Sequence, residues 1–211
     1  MKRINALAKF SKALERWNER FSIQNYLFGK NANHYLVTQK GHLKPGKALV
    51  IADGEGRNSV WLAQQGLSVE AFDFSPIAIE KAKKLALEKG ANVNFICSDW
   101  QSFAWEKNAY DYVVGIFFQF ADPEERQALF ALMDQSLKSG GLMIIQGYGE
   151  NQLQYNTGGP GVLENLYTEK LLKTSFPNYE VIDSSTYEKE IEEGDGHAGM
   201  SALVGFVGKK L

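Results

Sequence analysis

The sequence predicts a doubly wound α/β fold, a mostly parallel sheet of about seven strands with an antiparallel last strand and helices on both faces. Between Lys47 and Gln146, short apolar runs alternate with segments of helical periodicity, the pattern of a covered parallel sheet. After Gln146 the alternation stops, and two strand-like stretches flank a polar turn, the mark of a terminal β-hairpin. The chain has 211 residues, 44% hydrophobic and 23% charged, which suits one domain with a sizeable core.

In chain order, residues 3–17 place Ile4, Leu7, Ala8, Leu14 and Trp17 at helical spacing. An aromatic stretch follows, with Trp17, Phe21, Tyr26 and Phe28 before Gly29, which serves either as a lid or as a staple of the first helix. Residues 30–40 read as helical, and Lys44-Pro45-Gly46 turns into a first strand at Lys47–Ile51. The next helix opens near Asn58 and closes at Gly66. Strand two is Ser68–Phe72. Ser75 caps a helix with Pro76 in its first turn, ending at Gly90. Strand three is Asn92–Cys97 and strand four Asp111–Phe117. Asp122-Pro123-Glu124-Glu125 starts a helix that runs to Ser139-Gly140-Gly141, and strand five is Leu142–Gln146. The tail holds a polar segment from Gly147 to Gly161, a short helix at Thr168–Ser175, and strands at Tyr179–Ile191 and Ser201–Val207. No repeat or linker divides the chain. It reads as a single domain, 1–211, with a helical lid segment at 1–43 and an α/β core at 44–211.

Composition excludes several classes of partner. A formal net charge of −2 is not that of a dedicated nucleic-acid binder. No apolar run reaches the roughly 18 residues that span a bilayer. Cys97 is the only cysteine, which fits a reducing, cytoplasmic setting; in its apolar segment it is expected to be a buried packing residue. His34, His42 and His197 have no metal-ligand spacing, and no metal site is expected.

The chemistry gathers at Asp53-Gly54-Glu55-Gly56-Arg57-Asn58, the turn after the first strand. Glycines there admit positive φ and bring a ligand close to bare backbone, while the helix start offers unpaired N–H groups. Asp73, at the end of strand two, is placed to accept from a ribose diol. A dinucleotide site wants G-x-G-x-x-G, and Ser59 stands where its third glycine belongs. S-adenosylmethionine wants an acid for its ammonium, an acid for its ribose and a polar–aromatic pair for its adenine. Asp53 (or Glu55), Asp73 and Asp99-Trp100 supply that set in order.

These residues resemble the class I S-adenosylmethionine-dependent methyltransferases, and among them small bacterial members of the tellurite-resistance type. The resemblance covers nearly the whole chain, through Trp17-x-x-Arg20-Phe21, Tyr26, Gly29, the glycine turn, Asp73-x-Ser75, Asp99 and Lys138-x-Gly140-Gly141. It continues in Asn156-Thr157-Gly158-Gly159-Pro160 and Glu193-Gly194-x-x-His197-x-Gly199. The chain departs from the family at Val50 and Ala52, where an acid and a glycine are usual, so Asp53 is expected to take over the charge pairing. Gln119 stands where many relatives carry histidine, and an amide takes no proton. The resemblance implies a Rossmann-like methyltransferase with S-adenosyl-L-methionine as cofactor. The cofactor set it implies is Trp17, Arg20, Ala52, Asp53, Gly54, Gly56, Arg57 and Asn58, then Asp73, Phe74, Ser75, Asp99, Trp100 and Ile116. His197 and Tyr148 are the candidate catalytic residues. The implied acceptor is a small molecule such as a thiol or chalcogen oxyanion, met by a monomer or weak homodimer without nucleic acid or membrane. A catalytically silent cofactor-binding protein and a NAD(P)-dependent oxidoreductase stay open as alternatives.

Overall fold

The computed structural model describes the backbone of residues 2–155 and 157–211 and the side chains of residues 10–155 and 157–211. The apolar positions read at Ile4, Leu7 and Ala8, and Asn156 of the glycine-rich loop, lie outside those side chains.

The elements are α1 (Lys2–Phe21), α2 (His34–Thr38), β1 (Lys47–Ile51), α3 (Arg57–Gln64), β2 (Ser68–Asp73), α4 (Pro76–Glu88) and β3 (Val93–Cys97). They continue with β4 (Tyr110–Ile116), α5 (Pro123–Ser136), β5 (Leu137–Tyr148), α6 (Gln152–Tyr155), α7 (Glu169–Ser175), β6 (Tyr179–Glu192) and β7 (Ala198–Lys210). The 7-stranded sheet has the order β3-β2-β1-β4-β5-β7-β6. β1 to β5 pair in parallel, and β7 runs antiparallel to both β5 and β6. Strand order therefore reverses between β1 and β4, where the carboxyl ends of two central strands leave a crevice.

β1 is buried on both faces, as a central parallel strand must be. Leu49 and Ile51 join Phe72, Val113, Met133, Ile145 and Phe206 on one side. Ala48 and Val50 join Leu62, Ala71, Val114, Ile144 and Val207 on the other. The helix starts follow the local signals. Ser75 Oγ accepts from Ala78 N–H, and Asp122 and Glu125 form a reciprocal capping box.

Three readings are corrected. α5 stops at Ser136, and β5 begins at once with Leu137, not after Gly141. Leu137 pairs with Tyr110 and Leu142 with Tyr112, so Lys138–Gly141 forms a bulge within the strand, with Gly140 at φ 78. The last strand is also longer than read, running from Ala198 to Lys210 against the edge strand β6 where Ser201–Val207 was expected. Glu180, Glu188, Glu190 and Glu192 punctuate this edge with charge and discourage further pairing. Finally, Cys97 is exposed, since β3 is the opposite edge of the sheet.

Candidate active site

The turn after β1 is strained where it meets the crevice. Ala52 has φ 47, Gly54 φ 60 and Gly56 φ 88. On the neighbouring strand, Phe117 has φ 54 directly after β4. Two non-glycine residues held in the left-handed region at adjacent strand ends mark a place where backbone strain is maintained by its surroundings. The two glycines differ in what requires them. A Cβ on Gly56 would lie 2.7 Å from Ala82 Cβ, so Gly56 serves the packing of this turn against α4. A Cβ on Gly54 would meet only the Phe21 ring, at 3.5 Å.

Asp73 is buried, and its carboxylate already accepts Gly54 N–H at 3.0 Å and Ser75 N–H at 2.9 Å. It therefore fixes the glycine turn as well as facing the crevice. Asp53 accepts from the Ser59 hydroxyl through Oδ2, while Oδ1 is buried with no hydrogen-bond partner. Burial pushes the Asp53 carboxyl up to about 7, and the nearby Asp73 charge adds to this. Burial pushes Asp73 to about 6, against the hydrogen bonds that favour its ionised form. Asp99 accepts from Gln101 N–H and Ser102 N–H, both on Oδ1, and Trp100 packs partly buried against the core. Ile116 is buried at the end of β4.

α1 crosses the crevice. Trp17 stacks on Phe21 at 5.3 Å, Phe74 meets Phe10 at 5.9 Å, and Ser75 donates to Asn18 at 2.6 Å. Arg20 is exposed, with its guanidinium 4.4 Å from the Trp17 ring centre and 5.8 Å from that of Phe28. Lys81 of α4 clamps the end of α1, donating to the carbonyls of Phe21, Ile23 and Asn25 and pairing with the buried Glu55. Glu55 also accepts from Phe28 N–H, so it ties the segment after α1 to the glycine turn and is already engaged on both sides.

The hairpin between β6 and β7 closes the other side. Glu193 accepts from Arg57 at 2.6 Å, from Asn33 Nδ2 at 3.0 Å and from His34 N–H at 3.1 Å. Asn58 Oδ1 accepts from Asn33 N–H at 2.9 Å. His197 is thereby brought into the interior, buried with Nδ1 unpartnered, whereas a loop residue at a hairpin turn would ordinarily be exposed. Its ring lies 4.3 Å from that of Phe28, 4.2 Å from that of Phe117 and 5.8 Å from that of Tyr148. The Tyr148 hydroxyl is likewise buried without a partner. Gln119 is a clamp: its amide donates to Tyr148 O and Asn165 O and accepts from Tyr148 N–H.

The predicted residues thus fall into two neighbouring groups, one around Asp53, Gly54 and Asp73 and one around His197 and Tyr148. Lys81, Phe28, Phe117 and Glu193 complete the site. The aromatic stretch signalled Phe28. Glu193 stood in the Glu193-Gly194-x-x-His197-x-Gly199 pattern without a role, and no short-range pattern signalled Lys81; the partners of both lie on distant segments. The residues fit an S-adenosyl cofactor on the chemistry of the donor set. Asp53 Oδ1 is a buried acceptor without a partner, of the kind an ammonium would satisfy, and Asp73 retains lone pairs beyond its two backbone N–H contacts.

Residues 48–141 match the family model described as a methyltransferase domain. Phosphoethanolamine N-methyltransferase 2 of Caenorhabditis elegans is 28% identical over 180 residues, covering 77% of this chain and 40% of that protein. The chain thus spans less than half of that relative's length. TehB from Haemophilus influenzae has a similar fold, with a TM-score of 0.70 at 19% identity, covering 85% of this chain and 62% of that one. So does magnesium protoporphyrin IX methyltransferase of Synechocystis PCC 6803, solved with bound SAM, with a TM-score of 0.60 at 16% identity over 83% of this chain and 75% of that one. Residues 48–141 thus carry the similarity to a methyltransferase domain, and the whole seven-stranded sheet shares its fold with these solved structures.

Proposed function

We propose that the protein transfers the methyl group of S-adenosylmethionine to a small-molecule acceptor, a soft nucleophile such as a thiol or a chalcogen oxyanion. The observation that carries this reading is the pairing of Asp53, Gly54 and Asp73 at the ends of β1 and β2 with unpartnered His197 and Tyr148 across the same crevice.

In this reading Asp53 holds the ammonium and Asp73 the ribose hydroxyls. Arg20 and Arg57 lie toward the carboxylate, Asp99 and Trp100 toward the adenine. Trp17, Ala52, Gly56, Asn58, Phe74, Ser75 and Ile116 shape the walls. The bound cofactor supplies a methyl group already activated by a sulfonium. What remains for the chain is to align the acceptor, exclude water and, where the nucleophile is protonated, take the proton. The Trp17-Phe21-Phe28 cluster of the lid excludes water. Arg57 and Arg20 disfavour a second positive charge beside them, and burial acts more strongly in the same direction, so His197 stays neutral and able to accept a proton.

The test is S-adenosylhomocysteine formation by purified protein supplied with S-adenosylmethionine and a panel of thiols, oxyanions, amines and phenols. Acceptor-dependent formation supports the reading. A protein that binds the cofactor and turns over none of the panel would remove the enzymatic part of it.

A further inference from the structure

The cations around the crevice divide into those that are paired and those that are not. Arg57 is matched by Glu193 at 2.6 Å, and Lys81 by the buried Glu55. On α1, Lys12, Arg16 and Arg20 follow one another a helical turn apart, and all three are exposed. Among the described residues none of them has an ion pair or a side-chain hydrogen bond. Glu15 and Glu19 form a separate row of the same helix. The helix is thus sorted by sign, although like charges four residues apart disfavour a helix and opposite ones favour it.

The inner end of the cation row is built against rings. The Arg20 guanidinium lies 4.4 Å from the Trp17 ring centre and 5.8 Å from that of Phe28, and Arg16 lies 6.0 Å from the same indole. Stacking on an aromatic face steadies a guanidinium and leaves its N–H edges open. Burial, and then the neighbouring Arg16 charge, lower the Arg20 pKa from its ordinary value, a cost that a bound anion would offset. The Arg20 charge is also felt at Tyr148 and His197, which puts the end of the row beside the crevice. The cofactor does not account for such a row. S-adenosylmethionine carries a sulfonium, an ammonium and one carboxylate, a net cation that like charges at the entrance repel. Its single carboxylate engages Arg20 at most and leaves Arg16 and Lys12 without a ligand.

We propose that this row receives the methyl acceptor, and that the acceptor is an organic anion. It is a small thiol whose carboxylate is held by Arg16, with Arg20 beside it, and whose carbon skeleton lies on the half-buried faces of Trp17 and Phe28. The planar guanidinium fork matches a carboxylate through two parallel hydrogen bonds. An inorganic oxyanion has no carbon skeleton to set against those rings. The same cations favour the thiolate over the thiol, so the proton leaves to solvent before the transfer. The step balances: a thiolate pair forms the bond to the methyl carbon, the bond from that carbon to the sulfonium breaks, and its pair neutralises the sulfonium. No proton moves in it, and nothing is asked of His197 or Tyr148, whose side chains are packed against Phe28, Phe117 and the Gly158 loop.

This inference rests on the proposed function, and the experiment separates the two. Cofactor affinity is first measured for wild type, Arg16→Gln and Arg16→Lys. Failure of the wild type to bind S-adenosylmethionine would end the functional reading itself. With binding intact, methyl transfer is followed by mass spectrometry with 3-mercaptopropionate, 3-mercaptopropanol and 3-aminopropanethiol, thiols of one length that differ in charge, and with tellurite and selenite. The expected order of kcat/KM is carboxylate, then alcohol, then amine, narrowing as salt is raised. The amine thiol ionises most readily, so thiolate supply alone would give the reverse order. Arg16→Gln should raise KM for the carboxylate thiol on the order of 10-fold, so that its advantage over the alcohol thiol collapses, and Arg16→Lys should recover part of it. Where turnover is slow, titration of 3-mercaptopropionate into the S-adenosylhomocysteine complex makes the same comparison by calorimetry. Neither transfer to nor binding of the carboxylate thiol, no order by charge, or transfer to the inorganic oxyanions alone would overturn the inference while leaving the function standing. Equal losses for the carboxylate and alcohol thiols in Arg16→Gln would do the same.

Discussion

Asp53 and Asp73 are two buried carboxylates whose surroundings make them receptive to a cation. Both carboxyls are pushed up by burial, to about 7 and about 6 from an ordinary value of 3.8. A folded carboxyl that titrates above its unfolded value contributes its full stability at low pH and loses it as pH rises through about 6 to 7. A cationic ligand beside them favours the ionised forms. Binding of S-adenosylmethionine should therefore release protons between pH 6 and 7, and affinity should rise with pH across that window. Calorimetry in buffers of different ionisation heat reads the release directly, and a heat independent of buffer would contradict it. Asp73→Asn tests the same site from the other side. The amide oxygen still accepts a turn N–H, so the fold should persist while cofactor binding weakens by about 1–3 kcal/mol. Affinity equal to wild type in a folded variant would take Asp73 out of the site. At this scale Asp73 and the glycine turn were legible because strand ends and glycines leave short-range marks. The reason for Gly56 was not, since Ala82 lies 2.7 Å from its missing Cβ only after α4 has docked.

The elements around the crevice are held by long-range polar contacts that the chain order conceals. Lys81 of α4 caps the end of α1 and pairs with Glu55 of the glycine turn, so α1 and the turn share one cation. Lys81→Met leaves Glu55 buried without a counter-charge, with only the Phe28 N–H to satisfy it, which should cost about 3–5 kcal/mol. The double variant Lys81→Met/Glu55→Gln should recover much of that loss, and denaturant unfolding of the four proteins measures the coupling. Additive losses would mean that the pair does not act as a unit. Strand and helix order was legible from periodicity through Gln146, whereas the α5–β5 junction was misplaced. Lys138-Ser139-Gly140-Gly141 has the composition of a helix stop, but Leu137 had already joined the sheet beside Tyr110. Pairing with a distant strand won over the local turn signal.

Across the whole molecule, the sheet order puts β1 beside β4 and opens the crevice, α1 roofs it, and the β6–β7 hairpin brings in His197. The glycine turn at Asp53–Asn58 and Asp73 sit on local motifs and were readable from the sequence. The burial of His197 was not readable, because the rings that pack on it, Phe28 and Phe117, come from segments far apart in the chain. The most direct test of the account is calorimetric titration of the wild-type protein with S-adenosylmethionine, S-adenosylhomocysteine and NAD in turn. The account predicts saturable binding of both adenosyl compounds and none of NAD. Binding of NAD, or of no adenosyl compound, would contradict it.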